Sequence, residues 1–184
     1  MALAKARTSI NVKGGGLIKI RELHPTATDA WVDIGYLPKT TISDDHTMME
    51  AGDETGLLID WIDGNQRVKV TGSIMQSNTA EIGLLKNASG KYYELYYYVL
   101  LANGYFQEWL FFGKFKPGFV LEFAAGAIRE VPFEFWAFAV PATVTRNPTG
   151  WNVTAGDMYV FSEAAAAIAP PVDTAATIAT SFGV

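Results

Sequence analysis

Cysteine is absent from the 184 residues, so neither a disulfide framework nor a thiolate metal site can form. Histidine is scarce: His24 precedes a proline, and His46 stands among Asp44, Asp45 and Glu50. Long apolar runs are missing too. Glu, Asp, Lys or Gly interrupts each one before the roughly 20 residues a membrane helix needs. The opening MALAKARTSINVKGGG has no continuous apolar core of the kind a secretory signal carries. These absences predict synthesis inside a cell and no membrane association. Catalytic motifs are also wanting. Thr71-Gly72-Ser73-Ile74-Met75 is no nucleophile elbow. Gly14 to Gly16 lacks the Lys-Ser/Thr of a phosphate loop and precedes a strand, not a helix. The sequence implies no cofactor and no enzyme.

What the chain does have is rings. From Tyr92 to Phe138 one aromatic-rich run follows another: YYELYYYVLL, YFQEWLFF, FVLEFA and VPFEFWAFAV. Gly104, Gly113, Pro117-Gly118 and Gly126 punctuate them. Aromatic and β-branched runs broken by Gly and Pro are the grammar of strands and turns. The ring surface exceeds what one sheet face of a small monomer buries, which points to a second buried surface against another subunit. Each run also holds a lone acid: Glu94, Glu108, Glu122 and Glu134.

The net charge is −5, unevenly spread. Residues 1–23 carry Lys5, Arg7, Lys13, Lys19 and Arg21 against Glu22, a balance of +4. Residues 29–63 carry Asp29, Asp33, Asp44, Asp45, Glu50, Asp53, Glu54, Asp60 and Asp63 against Lys39, a balance of −8. Opposite potentials on one chain suit head-to-tail contact between copies. Two solvated stretches are the plainer reading. Neither favours nucleic-acid binding, which needs a basic patch.

Along the chain, residues 1–16 read as an arm, 17–161 as a β domain and 162–184 as an Ala-rich tail. Leu17 to Leu23 and Trp31 to Gly35 read as strands. Lys39 to Glu50 and Gly56 to Gly64 flank a polar connection, and Ser43–Gly56 reads as a mobile loop. Asp63-Gly64-Asn65 signals a tight turn. Arg67 to Met75 alternates: Val68, Val70, Gly72 and Ile74 face one way, Arg67, Lys69, Thr71 and Ser73 the other. One short helix is expected over about Thr79–Asn87. Asn78 caps it, Glu81 completes the capping box and Lys86 suits the last turn. Met158 to Phe161 reads as a last strand. The predicted class is mainly β: antiparallel sheets in a sandwich or barrel, one flanking helix, an extended arm and a long hairpin.

Candidate chemistry is thin. Asp44, Asp45, His46 and Glu50 can in principle hold a divalent metal, although hydrated acids are commoner there. The strand acids can be paired as acid and base. More simply, they lie on an open face or pair with Lys91, Lys114, Lys116 or Arg129. Tyr92, Tyr93, Tyr96, Tyr97 and Tyr98 can line a ligand pocket or an intersubunit seam. No residue is assigned as catalytic, cofactor-binding or metal-ligating.

The element order carries one resemblance: a strand ending in DIG, a polar hairpin, RVKVTGSIM, the capped helix SNTAEIGLLK, further strands and then EVPFEFWAFAVP. Over roughly Leu17 to Pro141 this order resembles the major tail tube proteins of tailed bacteriophages. The resemblance implies a β-sandwich subunit and six-membered rings with a shared inner barrel. Such rings stack into a virion tail tube that delivers DNA without specific binding. It also implies tape-measure, tail-tip and tail-terminator partners and synthesis in the host cytoplasm. The charge imbalance places the expected inter-subunit contacts at Lys5, Arg7 and Lys13 against Asp44, Asp45, Asp53, Glu54, Asp60 and Asp63. Two other classes remain at this stage. One is a lipocalin-like barrel binding a small apolar ligand; the other is an enzyme with two strand carboxylates facing each other in a cleft.

Overall fold

The structure, a computed structural model, describes residues 16–23, 30–52, 58–75, 83, 85–118, 130–140, 151, 153–166 and 170–171. Eight strands make it up: β1 (Gly16–Leu23), β2 (Val32–Leu37), β3 (Thr40–Gly52), β4 (Leu58–Met75), β5 (Tyr92–Leu100), β6 (Phe106–Phe115), β7 (Glu130–Ala137) and β8 (Tyr159–Ala164). All pair antiparallel, in the order β2-β1-β5-β6-β7-β4-β3, with β8 added beside β6. The mainly β, sandwich-like class read from the sequence is what the chain adopts.

The sheet folds over at β6. One edge of β6 serves two neighbours in turn: Phe106 to Phe111 pair with β8, and Gly113 to Phe115 pair with β7. Gly113 makes the crossover possible, since a Cβ there would run into the Trp136 carbonyl. The two halves, β2-β1-β5-β6 and β7-β4-β3, then face each other, and β2 comes close to β4 across the interior.

Period-two alternation decides what fills that interior. Val68, Val70 and Ile74 share one face of β4, as the sequence predicts; that face points inward, and the three are fully buried. Ile18 and Ile20 of β1, Tyr93, Leu95 and Tyr97 of β5, and Phe111 and Phe115 of β6 meet them. Phe115 is the hub, with ring centroids 4.9 Å from Phe135, 5.3 Å from Tyr93 and 6.0 Å from Phe133. Edge-to-face geometry at such spacings adds to the burial of the rings themselves.

The hairpin departs from the expected loop. Residues 43–52 are strand, not a mobile connection, and β4 runs unbroken from Leu58. The turn read at Asp63-Gly64-Asn65 is overturned. The register steps from His46↔Gln66 to Met48↔Asp63, so this Gly-Asn pair is absorbed as a bulge in a long strand. β4 pairs β3 from Leu58 to Gly72 but β7 only from Lys69 to Met75. Among the described residues the far part of the hairpin is therefore a two-stranded ribbon.

Most of the expected helix lies outside the described residues. Gly83, Leu85 and Lys86 are helical, Asn87 N–H donates to Gly83 O at 3.0 Å, and Leu85 is buried in the core. The predicted last strand becomes β8, Tyr159–Ala164.

Candidate functional site

Two sheet surfaces face away from the core, and they differ. The outward face of β1-β5-β6 is sealed by the chain itself. Leu23, Tyr96, Leu110 and Phe112 rise from the strands, and Val140, Trp151 and Val153 close over them. Trp151 meets Tyr96 edge-to-face at 5.9 Å. Trp31 meets the same ring at 6.3 Å, and its Nε1 donates to the Pro171 carbonyl at 2.7 Å. The aromatic surplus thus has its second buried surface, but one supplied largely from within the subunit. The sequence did not show this, because residues 141–158 have loop-like composition and no period.

Under this cover lies a buried polar row. Arg21 and Glu94 are register partners in β1 and β5, and both side chains are fully buried. Arg21 Nε donates to Glu94 Oε2 at 2.7 Å, and the other guanidinium arm donates to the same oxygen. The guanidinium carbon also sits 4.8 Å from the Trp31 ring centre. Further along, the Tyr96 hydroxyl donates to Glu108 Oε1 at 2.5 Å. Glu94 pairs in register with Phe112, and Glu108 with Tyr98. The two acids are thus four residues apart along the strands, about 13 Å at a rise of ~3.3 Å per residue. Acid–base pairs of glycosidase type need about 5–9.5 Å. The open-face reading of these two acids is also corrected, because each is buried on a partner of its own.

The other sequence candidates are dispersed. Lys116 reaches Glu134 at 3.6 Å, as expected, but Lys91 pairs with Glu22 at 2.9 Å and Lys114 lies 3.8 Å over the Tyr92 ring. Glu122 and Arg129 lie outside the described residues. The five tyrosines line no single pocket: Tyr93 and Tyr97 enter the core between the halves, while Tyr92, Tyr96 and Tyr98 belong to the covered face.

Asp44 accepts from Gln66 Nε2 at 2.8 Å and from the Tyr159 hydroxyl at 3.0 Å, with His46 Nε2 at 3.3 Å. Asp45, the next residue in the strand, accepts from Ser43 Oγ at 2.5 Å. Among the described residues no group of three or more His, Asp or Glu is placed to hold a metal. Asp60 and Asp63 lie in β4 opposite Ala51 and Met48. Lys5, Arg7, Lys13, Asp53 and Glu54 lie outside the described residues.

Burial raises the ionisation of the Tyr96 phenol well above its ordinary range, helped by the hydrogen bond and charge of Glu108. Burial raises Tyr93 similarly, with Glu22 adding to it, and raises Tyr98, with Asp33 and Glu108 adding. The unfolded chain releases these protons near pH ~10, whereas the folded chain holds them. Stability is therefore fully present below about pH 10 and falls as the pH rises, by about 1.4 kcal/mol per pH unit for each such tyrosine. Denaturant unfolding across this range should show the fall. Tyr96→Phe should make it shallower while costing about 1 kcal/mol at neutral pH. An alkaline limb identical in variant and parent would contradict this placement of the hydroxyl.

The outward face of β7-β4-β3 is built otherwise. Its cross-strand rows are polar, with Trp136 and Phe138 exposed at one end. The Lys69 Nζ lies 5.4 Å over Trp136, and Tyr92 packs on Phe138 at 6.1 Å, where this face meets the sealed one.

No family model and no curated protein matches the chain. Solved structures do. A chain from the virion of a native gene transfer agent particle matches at 11% identity and TM-score 0.43, covering 66% of this chain and 90% of that one. A chain of the anti-feeding prophage baseplate matches at 11% identity and TM-score 0.46, covering 69% and 91%. The Hcp protein crystal structure matches at 11% identity and TM-score 0.33, covering 66% and 91%. At these TM-scores the likenesses carry neither fold nor function to this chain.

Proposed function

We propose that the chain is a structural, non-catalytic subunit of a phage-type tail tube, closing into six-membered rings that stack into a conduit for DNA. The observation that supports this most is the unfinished hairpin. Residues 58–68 of β4 have β3 as their one strand neighbour among the described strands. A two-stranded ribbon is marginal alone in water and is completed by a further layer. A second copy is the natural source, because β2 and β3 also end the sheet with unpaired edges among the described residues. Head-to-tail joining of such edges closes a ring and removes them. The runner-up, a ligand-binding barrel, is disfavoured by an interior filled with Phe111, Phe115, Phe133 and Phe135.

In this reading the basic arm of one ring, with Lys5, Arg7 and Lys13, lies near the acids of the ribbon in the next. Asp44 is a poor member of that set, since Gln66 and Tyr159 already occupy it. Asp45, Asp53, Glu54, Asp60 and Asp63 remain. Exposed pairs of this kind are worth about 0–1 kcal/mol each and weaken with salt. Tape-measure, tip and terminator proteins would be further partners, and the tail of a virion the location.

Replacing residues 48–63 by a two-residue Asn-Gly turn tests the ribbon. The variant should keep the parent's cooperative unfolding, because Val68, Val70 and Ile74 remain in place, and should lose assembly by light scattering. A shortened variant that assembles like the parent would sink the ribbon's role.

A further inference from the structure

We infer that the outer surface of the sheet carries a docking site for an acidic segment of a partner protein, centred on Trp136 and flanked by Lys69 and Lys114. Register puts the three in one cross-strand row. Lys69 of β4 and Lys114 of β6 both pair with Trp136 of β7, one on each side of it. Phe135 is buried inward, so this row points outward. It continues to Tyr92 of β5, over whose ring Lys114 Nζ lies at 3.8 Å, while Lys69 Nζ lies 5.4 Å from the centre of the Trp136 ring. Cation and ring thus alternate across four strands. Trp136 is 37% exposed, and so is Phe138, which packs on Tyr92 at 6.1 Å.

A ring holds an ammonium in place without neutralising it, as a carboxylate would. That sets these two lysines apart from their neighbours. In the row on one side Lys116 reaches Glu134 at 3.6 Å, and in the row on the other Arg67 stands opposite Asp45. Farther along that last row Arg21 and Glu94 are buried on each other. The exposed part of the three rows therefore sets Arg67, Lys69, Lys114 and Lys116 against Asp45 and Glu134, a balance of +2 on a chain of −5. The surplus is the ring-held pair.

Two surplus cations and an exposed indole select the occupant. Nucleic acid binds by neutralising a run of phosphates, and here Glu134 and Asp45 border the row on either side. A protein segment asks for less: one acid on each lysine and an apolar side chain on the indole between them. Neighbouring strands ~4.8 Å apart put the Trp136 and Tyr92 rings, and the ammonium over each, about 10 Å from one another. An extended segment with acids two or four residues apart spans about 7 or 13 Å, which brackets this distance.

A fluorescein-labelled peptide Ser-Glu-Ser-Phe-Ser-Glu-Ser, titrated with the purified protein and followed by anisotropy, tests the site. The parent should bind it, and a peptide with Gln for both Glu should bind at least about tenfold more weakly. Lys69→Gln combined with Lys114→Gln should lose at least about tenfold in affinity, and so should Trp136→Thr. Lys86→Gln removes an exposed cation elsewhere and should change affinity by less than about twofold. Urea unfolding of each variant shows whether the fold is kept, since all three residues reach the surface. No binding by the parent, or equal binding by the parent and a folded double-lysine variant, overturns the inference. An oligothymidylate that binds more tightly than the peptide and needs the same lysines would make the row a nucleic-acid site instead. Self-association that the peptide competes away, and that the double-lysine variant lacks, would give the row to a second copy. The first two results leave the tube reading untouched, because neither depends on ring formation.

Discussion

Arg21→Met is expected to cost the domain about 3–5 kcal/mol, because it leaves Glu94 buried without its guanidinium. Both side chains are fully enclosed, and the two donors of Arg21 converge on one carboxylate oxygen. Removing one member of a buried pair exposes the desolvation cost of the other. Replacing both removes that cost. Arg21→Met combined with Glu94→Leu should therefore recover most of the loss, a non-additive result typical of directly coupled groups. Urea unfolding of the two single variants and the double variant measures it. Single losses below about 1 kcal/mol, the range of exposed pairs, would show that this face is wet and the cover absent.

The second large effect is expected at the hub of the core. Phe115→Ala should destabilise by about 3–5 kcal/mol, the usual range for emptying a buried aromatic site. The ring is 2% exposed and touches Tyr93 from one half and Phe133 and Phe135 from the other. It also stands on the three-residue stretch where β6 pairs with β7. Loss of the ring thus weakens the contact that holds the halves together. Against a total stability of about 5–15 kcal/mol, thermal melting should move clearly. Phe115→Leu should retain more of the stability than Phe115→Ala. Equal melting of Phe115→Ala and parent would mean that the halves are joined elsewhere.

These two sites mark how far the sequence could be read. Alternation was legible wherever a strand has one dry and one wet face. Val68, Val70 and Ile74 share one side of their strand on that ground, and that side is buried. The same rule misplaces Arg21. In LIKIREL it alternates with Ile18 and Ile20, so it reads as a solvent residue. It is buried where Trp31 lies over its guanidinium and Trp151 closes on the neighbouring Tyr96, and the stretch that carries Trp151 has no sequence period to reveal this. The Arg21–Glu94 pair becomes visible only with the β1–β5 register, which depends on contacts far apart in the chain. Local turn chemistry misled in the opposite direction. Gly64-Asn65 has turn composition, yet two long strands continue past it and tolerate it as a bulge. Asp44, one of the expected contact residues, lies on strand β3, and its engagement by Tyr159 of β8 is a tertiary fact.

The aromatic surplus shows the same limit. Composition called for a second buried surface, and one exists. That it is closed largely by residues of the same subunit moves the weight of the assembly reading from the rings to the ribbon and the open edges. Those edges are what an assembled structure must complete.

Electron cryo-microscopy of the purified, concentrated protein tests the central claim most directly. The account predicts rings of sixfold symmetry, alone or stacked, in which the edges of β2 and β3 and the β3–β4 ribbon contact neighbouring subunits. A population that stays monomeric by microscopy and by mass, at high concentration and with tail-tip or tape-measure partners supplied, would contradict it.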